Sequence, residues 1–382
     1  MKRIENVESS IGTFVPDWAI APGEILASEL KARGMSQTDL AYRTSLSIKH
    51  VNQIIKQNVP LSADVALSFE RALGVSAAFW LKTEAVWQAH SSALVAKQSL
   101  GKYASWLSNF PLTALASKGI LSVRDDIATQ VEDLLRFFQV TDPSAFDKVW
   151  LEPQVNYKRS QSSKLDRYAT ATWVRLAERE AQQLAIDAPE YSPKELRAAV
   201  RDLPAFTSMP LLAGFKAARA RLREAGVMLA FVEPLDKTGL FGISKTLDDG
   251  RHMIALTGRM KKLDSFWFAL AHEVAHILLH PKRSTFIDTS TSLANDDDDD
   301  QEGEANKFAS ELYLPVHARE RLLALGAAAV PSIAEEVGVG AAMVAGQYAH
   351  LESAYPLMNR YRPSIDDAEL RALQSIGGSV AS

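Results

Sequence analysis

His272, Glu273 and His276 form a His-Glu-x-x-His pattern within Ala271–His280. On a helix, residues four apart share a face, so the two imidazoles can hold one metal ion. Glu273 lies beside them, where a general base for water activation belongs. The flanking residues Leu263, Phe266, Trp267, Phe268, Leu270, Val274, Ile277, Leu278 and Leu279 cover nearly the whole helix circumference, which predicts burial. Two imidazoles and a carboxylate in such a setting are costly unless something satisfies them, and a metal ion would satisfy all three.

A catalytic zinc needs a third protein ligand and an open position. His280 lies a further helical turn along, too far axially to join the same ion. Downstream, Gln301 to Ala309 opens a second amphipathic helix, on which Glu302 and Asn306 share a face. Glu302 can ligate, and Asn306 can orient a ligand histidine from behind. Glu304 points about 200° away from Glu302 on an ideal helix and is the poorer choice. Zinc is the default ion, and manganese also suits a His-His-carboxylate set.

The elements that must position these residues follow from periodicity and breakers. Val227–Val232 and Met253–Leu256 read as short strands, with Phe241–Ser244 a weaker third, and the metal helix spans about 261–280, ending before Pro281. Asn295–Asp300 is an acidic run that reads as a solvated loop. Three parts are expected: 20–92, a helical middle at 93–222 with candidate segments 126–139 and 164–186, and a mixed part at 223–382. The fold class expected is mainly α, with an α+β C-terminal domain.

Composition sets bounds. The chain has 382 residues, 47% hydrophobic and 23% charged, enough for a sizeable core. Its net charge of −4 makes any DNA-binding face local. With no cysteine, disulfides and Cys-ligated zinc are excluded, which suits a reducing cytoplasm. Met1–Ser10 is polar with no apolar core after it, and no apolar run approaches a bilayer span, so neither a signal peptide nor a membrane segment is expected.

Pro22 to Asn58 carries a helix-turn-helix pattern. Ser36 caps a helix over Gln37–Ala41, Thr44–Ser47 is the turn, and Ser47 caps a second helix from Ile48 to Lys56. Val51, Ile54 and Ile55 would face the core, leaving Lys49, His50, Asn52, Gln53 and Lys56 outward as candidate contacts to double-stranded DNA. The modest basic content predicts that binding uses a homodimer on a two-fold operator.

Two resemblances attach to these motifs. Pro22–Leu26, the Gln37–Ile54 pattern and Ala72–Leu81 resemble the HigA branch of XRE-type repressors and antitoxins, over most of residues 20–90. Ser45 departs from that family, which usually has glycine in the turn. Ala271–His280 and Glu302 to Pro315 are similar to the ImmA/IrrE metallopeptidases, over roughly 223–320 and more weakly to about 352. Tyr313 stands where an aliphatic residue is usual. This second resemblance implies a thermolysin-like helix pair on a small antiparallel sheet. It also implies zinc ligation by His272, His276 and Glu302, and catalysis by Glu273. The activity implied is peptide-bond hydrolysis, directed at a helix-turn-helix repressor or a toxin–antitoxin component. Tyr313, His252 and His317 are three candidates for oxyanion stabilisation, with none preferred. The alternative is a non-catalytic HigA-like antitoxin or repressor whose metal domain is a sensor or partner-binding platform.

Overall fold

The computed structural model describes residues 19–122, 126–152, 166–247, 249–280, 285–289 and 300–377. Their contacts form two compact units, one of residues 19–104 with 126–132 and the other of the remaining described residues. Residues 105–122, 133–152 and 166–222 thus pack with the C-terminal part, and the boundaries 20–92, 93–222 and 223–382 stay a proposed division of the sequence. The acidic run Asn295–Asp300 lies outside the described residues except for Asp300. Among the described residues no helix is long and apolar enough to cross a membrane.

The first unit holds helices α1 (Pro22–Ala32), α2 (Gln37–Thr44), α3 (Ile48–Ile55), α4 (Ala63–Leu73) and α5 (Ala77–Leu100). Leu26, Leu40, Val51, Ile54, Phe69 and Trp80 meet in its core. The start of α2 is fixed by a capping box: Asp39 N–H donates to Ser36 Oγ at 3.1 Å, and Ser36 N–H donates to the Asp39 carboxylate at 2.9 Å. Ser47 caps α3 by accepting from His50 N–H at 3.1 Å. Between the helices Ser45 takes the left-handed conformation, φ 59° and ψ 21°. A residue with a Cβ bears a cost of about 1 kcal/mol there, which glycine avoids. Ser45→Gly should therefore raise the stability of this unit by up to about 1 kcal/mol, read by urea unfolding. A decrease would mean that the serine side chain contributes more than the backbone strain removes.

In the second unit the middle helices α6 (Arg167–Leu184), α7 (Pro193–Phe206) and α8 (Leu211–Arg223) precede strands β1 (Val227–Phe231), β2 (Leu240–Thr246) and β3 (His252–Leu256). Then come α9 (Leu263–Leu279), β4 (Thr285–Thr289) and α10 (Asp300–Tyr313), followed by α11 (Val316–Leu325) and further helices. The sheet order is β1-β3-β2-β4. The sheet is mixed rather than wholly antiparallel: β2 pairs antiparallel with β3 and β4, but β1 pairs parallel with β3. The connection after β1 carries the chain past β3's position, and the β2–β3 hairpin then returns β3 in the direction of β1.

Every residue of β1 is buried, as expected for a strand covered on both faces. Val227, Leu229 and Phe231 join Ile254 and Leu256 in one core with Phe266, Trp267, Leu270, Val274 and Ile277 of α9. On the opposite face, Lys245 of β2 pairs with Glu178 of α6, and Trp173 of α6 donates its indole N–H to the Val232 carbonyl at 3.1 Å. The sheet is therefore sandwiched between α9 and α6.

Candidate metal centre

α9 is buried along nearly its whole length, and that burial includes His272, Glu273 and His276, each at most 1% exposed. α10 lies against it through Ala305 and Ala309, whose small side chains are fully buried and permit close approach. Glu302 and Asn306 sit on the same face of α10 and so reach α9 together.

The structure brings the expected residues to one point. The Nε2 atoms of His272 and His276 are 2.9 Å apart. Glu302 places one carboxylate oxygen 3.2 Å from His272 Nε2 and the other 3.5 Å from His276 Nε2. One ligand atom from each residue lies within 4.8 Å of the others, a spacing one metal ion can span. His272 Nδ1 meets Asn306 Oδ1 at 3.0 Å. With the amide oxygen turned to the ring, Nδ1 carries the proton and Nε2 presents its lone pair to the other ligands.

The electrostatics fit a cation. Burial holds His276 below the ordinary imidazole value, against the pull of Glu302. Burial would raise Glu302, but hydrogen bonding and charge from His272 and His276 hold its carboxyl well below the usual range. Protonated imidazoles would be needed to hold Glu302 so low, yet burial disfavours the charged form of His276. A metal ion between the three groups removes that conflict, because it favours neutral imidazole and ionised carboxylate together.

The other candidates lie elsewhere. His280 Nε2 is 3.1 Å from the Gln301 carbonyl and 3.8 Å from Glu304, so these two residues form a neighbouring contact outside the ligand group. Tyr313 is fully buried and donates its hydroxyl to the Trp267 carbonyl at 3.0 Å, and burial raises its pKa. His252 contacts Thr246 Oγ1 at 3.2 Å and packs edge-on against Tyr191. His317 is exposed at the start of α11.

In the helix-turn-helix unit Lys49 and Lys56 are exposed, whereas His50, Asn52 and Gln53 are half-buried. Asn52 is also less outward than its spacing suggested: its Nδ2 donates to Gln37 Oε1 at 3.0 Å, tying α3 to α2. Ile55 is half-buried against the core rather than within it.

Among known proteins, a family model matches the part of the chain that holds the metal centre. Residues 231–346 match the family model of the IrrE N-terminal-like domain, peptidase M78. Residues 231–346 are therefore similar to a domain of a peptidase family, and the His272, His276 and Glu302 group within them could hold a metal ion. The chain is 39% identical over 67 residues to virulence-associated protein I of Dichelobacter nodosus. That alignment covers 17% of this chain and 62% of the relative, so the chain spans less than two thirds of that relative's length. It is also similar to an addiction module antidote protein of a HigA family from Coxiella burnetii, at 28% identity and a TM-score of 0.20, covering 22% of this chain and 91% of that one. The family match takes in His272, His276 and Glu302, and it lies C-terminal to the helix-turn-helix of α2 and α3.

Asn306→Ala should weaken metal binding roughly 10- to 100-fold, because the His272 ring loses the partner that fixes its tautomer. Competition against a zinc chelator measures this. Unchanged affinity would show that Asn306 does not orient the ligand.

Proposed function

We propose that this chain is a DNA-binding transcriptional regulator with a zinc-dependent endopeptidase domain, and that the peptidase cleaves a regulatory protein of repressor or antitoxin type. The observation that carries the catalytic half is the convergence of His272, His276 and Glu302, with Glu273 buried beside His272 on the same helix. A purely structural site needs no general base, and this helix supplies one.

His272, His276 and Glu302 would hold the metal, with zinc as the default and manganese also suited to the donors. When bound, the metal supplies Lewis acidity toward a scissile carbonyl and toward water. Glu273 accepts the proton of the attacking water and delivers it to the leaving amine. Asn306 keeps the His272 ring in its ligating tautomer.

In the other unit, α3 is the recognition helix. Lys49 and Lys56, exposed on α3, would meet phosphate or guanine, and His50, Asn52 and Gln53 would supply contacts to base edges. A homodimer would match the two halves of a two-fold operator, and the site of action is the cytoplasm.

Elemental analysis tests the centre first. Wild type should carry about one zinc per chain, Glu302→Ala should lose it at matched folding, and Glu273→Gln should keep it. Glu273→Gln should also lose roughly 100- to 10,000-fold in hydrolysis of any protein that wild type cleaves. Zinc retained by Glu302→Ala removes that residue as a ligand. No zinc in any variant, even when supplied, favours a non-catalytic antitoxin or repressor.

Lys49→Ala with Gln53→Ala should abolish operator binding in a gel-shift assay while leaving zinc content unchanged. Full operator affinity in that double variant would exclude α3 as the reading helix.

A further inference from the structure

Gly242 occupies the interior of β2, and its φ does not lie in the left-handed region, so backbone conformation gives no reason for glycine there. Glycine weakens a strand interior, and it often marks a place where another group comes close. The close group here is the Glu273 side chain. A Cβ on Gly242 would lie 2.9 Å from Glu273 Oε1 and 3.1 Å from its Cγ, with Leu256 Cδ2 at 3.2 Å. The Glu273 side chain therefore fills the space that a side chain on the strand would take.

A second feature fixes the strand at the same point. Leu240 pairs with Thr289 while Gly242 pairs with the adjacent Asp288, which leaves Phe241 as the extra residue of a bulge. Bulges re-aim a strand locally and recur beside active sites. Fully buried Thr257 holds this one: its hydroxyl lies 3.0 Å from the Leu240 carbonyl and 3.2 Å from that of Phe241. Its N–H also donates to the Phe241 carbonyl at 3.0 Å.

We propose that Gly242 is a positioning residue for Glu273: the side-chain-free strand, pinned by the Phe241 bulge and Thr257, is the wall that sets where the carboxylate lies beside the metal ligands. The proposal rests on the reading of Glu273 as the general base. A methyl group at position 242 would push the carboxylate off that wall, its nearest neighbours being Glu273 and Leu256.

The test uses Gly242→Ala and Glu273→Ala, singly and combined, in the full chain. Thermal unfolding does not depend on hydrolysis. Gly242→Ala should lower Tm by on the order of 3 °C when Glu273 is present and much less in the Glu273→Ala background. A single variant that fails to fold beside a folded double variant reads the same way. Equal loss in both backgrounds, or failure of both to fold, overturns the proposal.

Zinc content and hydrolysis of fluorescein-labelled casein are then measured. Gly242→Ala should hold zinc at the wild-type ratio and cleave about 100-fold more slowly, the scale of a 1 Å misplacement. Adding Glu273→Asp, whose shorter acid withdraws from the new methyl, should recover part of that rate. Folded, zinc-loaded Gly242→Ala that cleaves as fast as wild type overturns the proposal. Absence of casein cleavage by zinc-loaded wild type counts against the endopeptidase reading instead, and the Tm comparison still decides whether Gly242 sets the place of Glu273.

Discussion

Taking two imidazoles and a carboxylate out of water on one apolar helix constrains the rest of the second unit. Each group would cost several kcal/mol in such a setting if left unsatisfied. His272, Glu273 and His276 are all essentially inaccessible, so compensation must come from elements brought in by the fold. α10 supplies it on one side, where Ala305 and Ala309 let its backbone approach and Glu302 and Asn306 reach the rings. β2 accommodates it on the other, with a bare glycine where the Glu273 side chain lies. A neutral imidazole pair facing an ionised carboxylate would be balanced by a cation, which would tie the packing of α9 to its chemistry.

The parts of this arrangement that were legible in the sequence are those set by helical period. His272 and His276 share a face because they are four apart, and so do Glu302 and Asn306. The resemblance to a peptidase family linked the two pairs, and the 2.9–3.5 Å approaches among His272, His276 and Glu302 are a tertiary fact that period cannot give. Strand order lies still further from local pattern. Val227–Val232 and Met253–Leu256 read as strands from their apolar runs, but their parallel pairing depends on where the β2–β3 hairpin lands. Phe241–Ser244 read as a weaker third strand, and the close approach of Glu273 to Gly242 within it is visible only in the fold. In the first unit Ser45 reads as a departure from glycine, and its left-handed φ shows that the turn keeps its geometry despite the substitution.

Tyr313 shows how a departure from a family pattern can be absorbed by packing. A tyrosine in place of an aliphatic residue would bury a hydroxyl, and a buried hydroxyl needs an acceptor. The Trp267 carbonyl on α9 provides one at 3.0 Å. The bond joins the end of α10 to the first turns of α9, the same two helices that bring His272, His276 and Glu302 together. A residue that looked available for chemistry is thereby committed to holding the helix pair together.

The buried ion pairs of this unit follow a related logic. Glu178 of α6 joins Arg175 to Lys245 of β2, and Glu180 accepts from both Arg219 of α8 and the Phe231 amide of β1. Removing one partner of such a pair strands a buried charge at roughly 3–5 kcal/mol, whereas replacing both with apolar residues of similar volume costs little. Net stability is therefore a poor account of their presence. Position is a better one: the two carboxylates of α6 are tied to different strands, so sliding α6 along the sheet would break both at once. That fixes the helix on the face of β2 opposite Glu273, where the strand is held between a charged pair on one side and the carboxylate of the metal helix on the other.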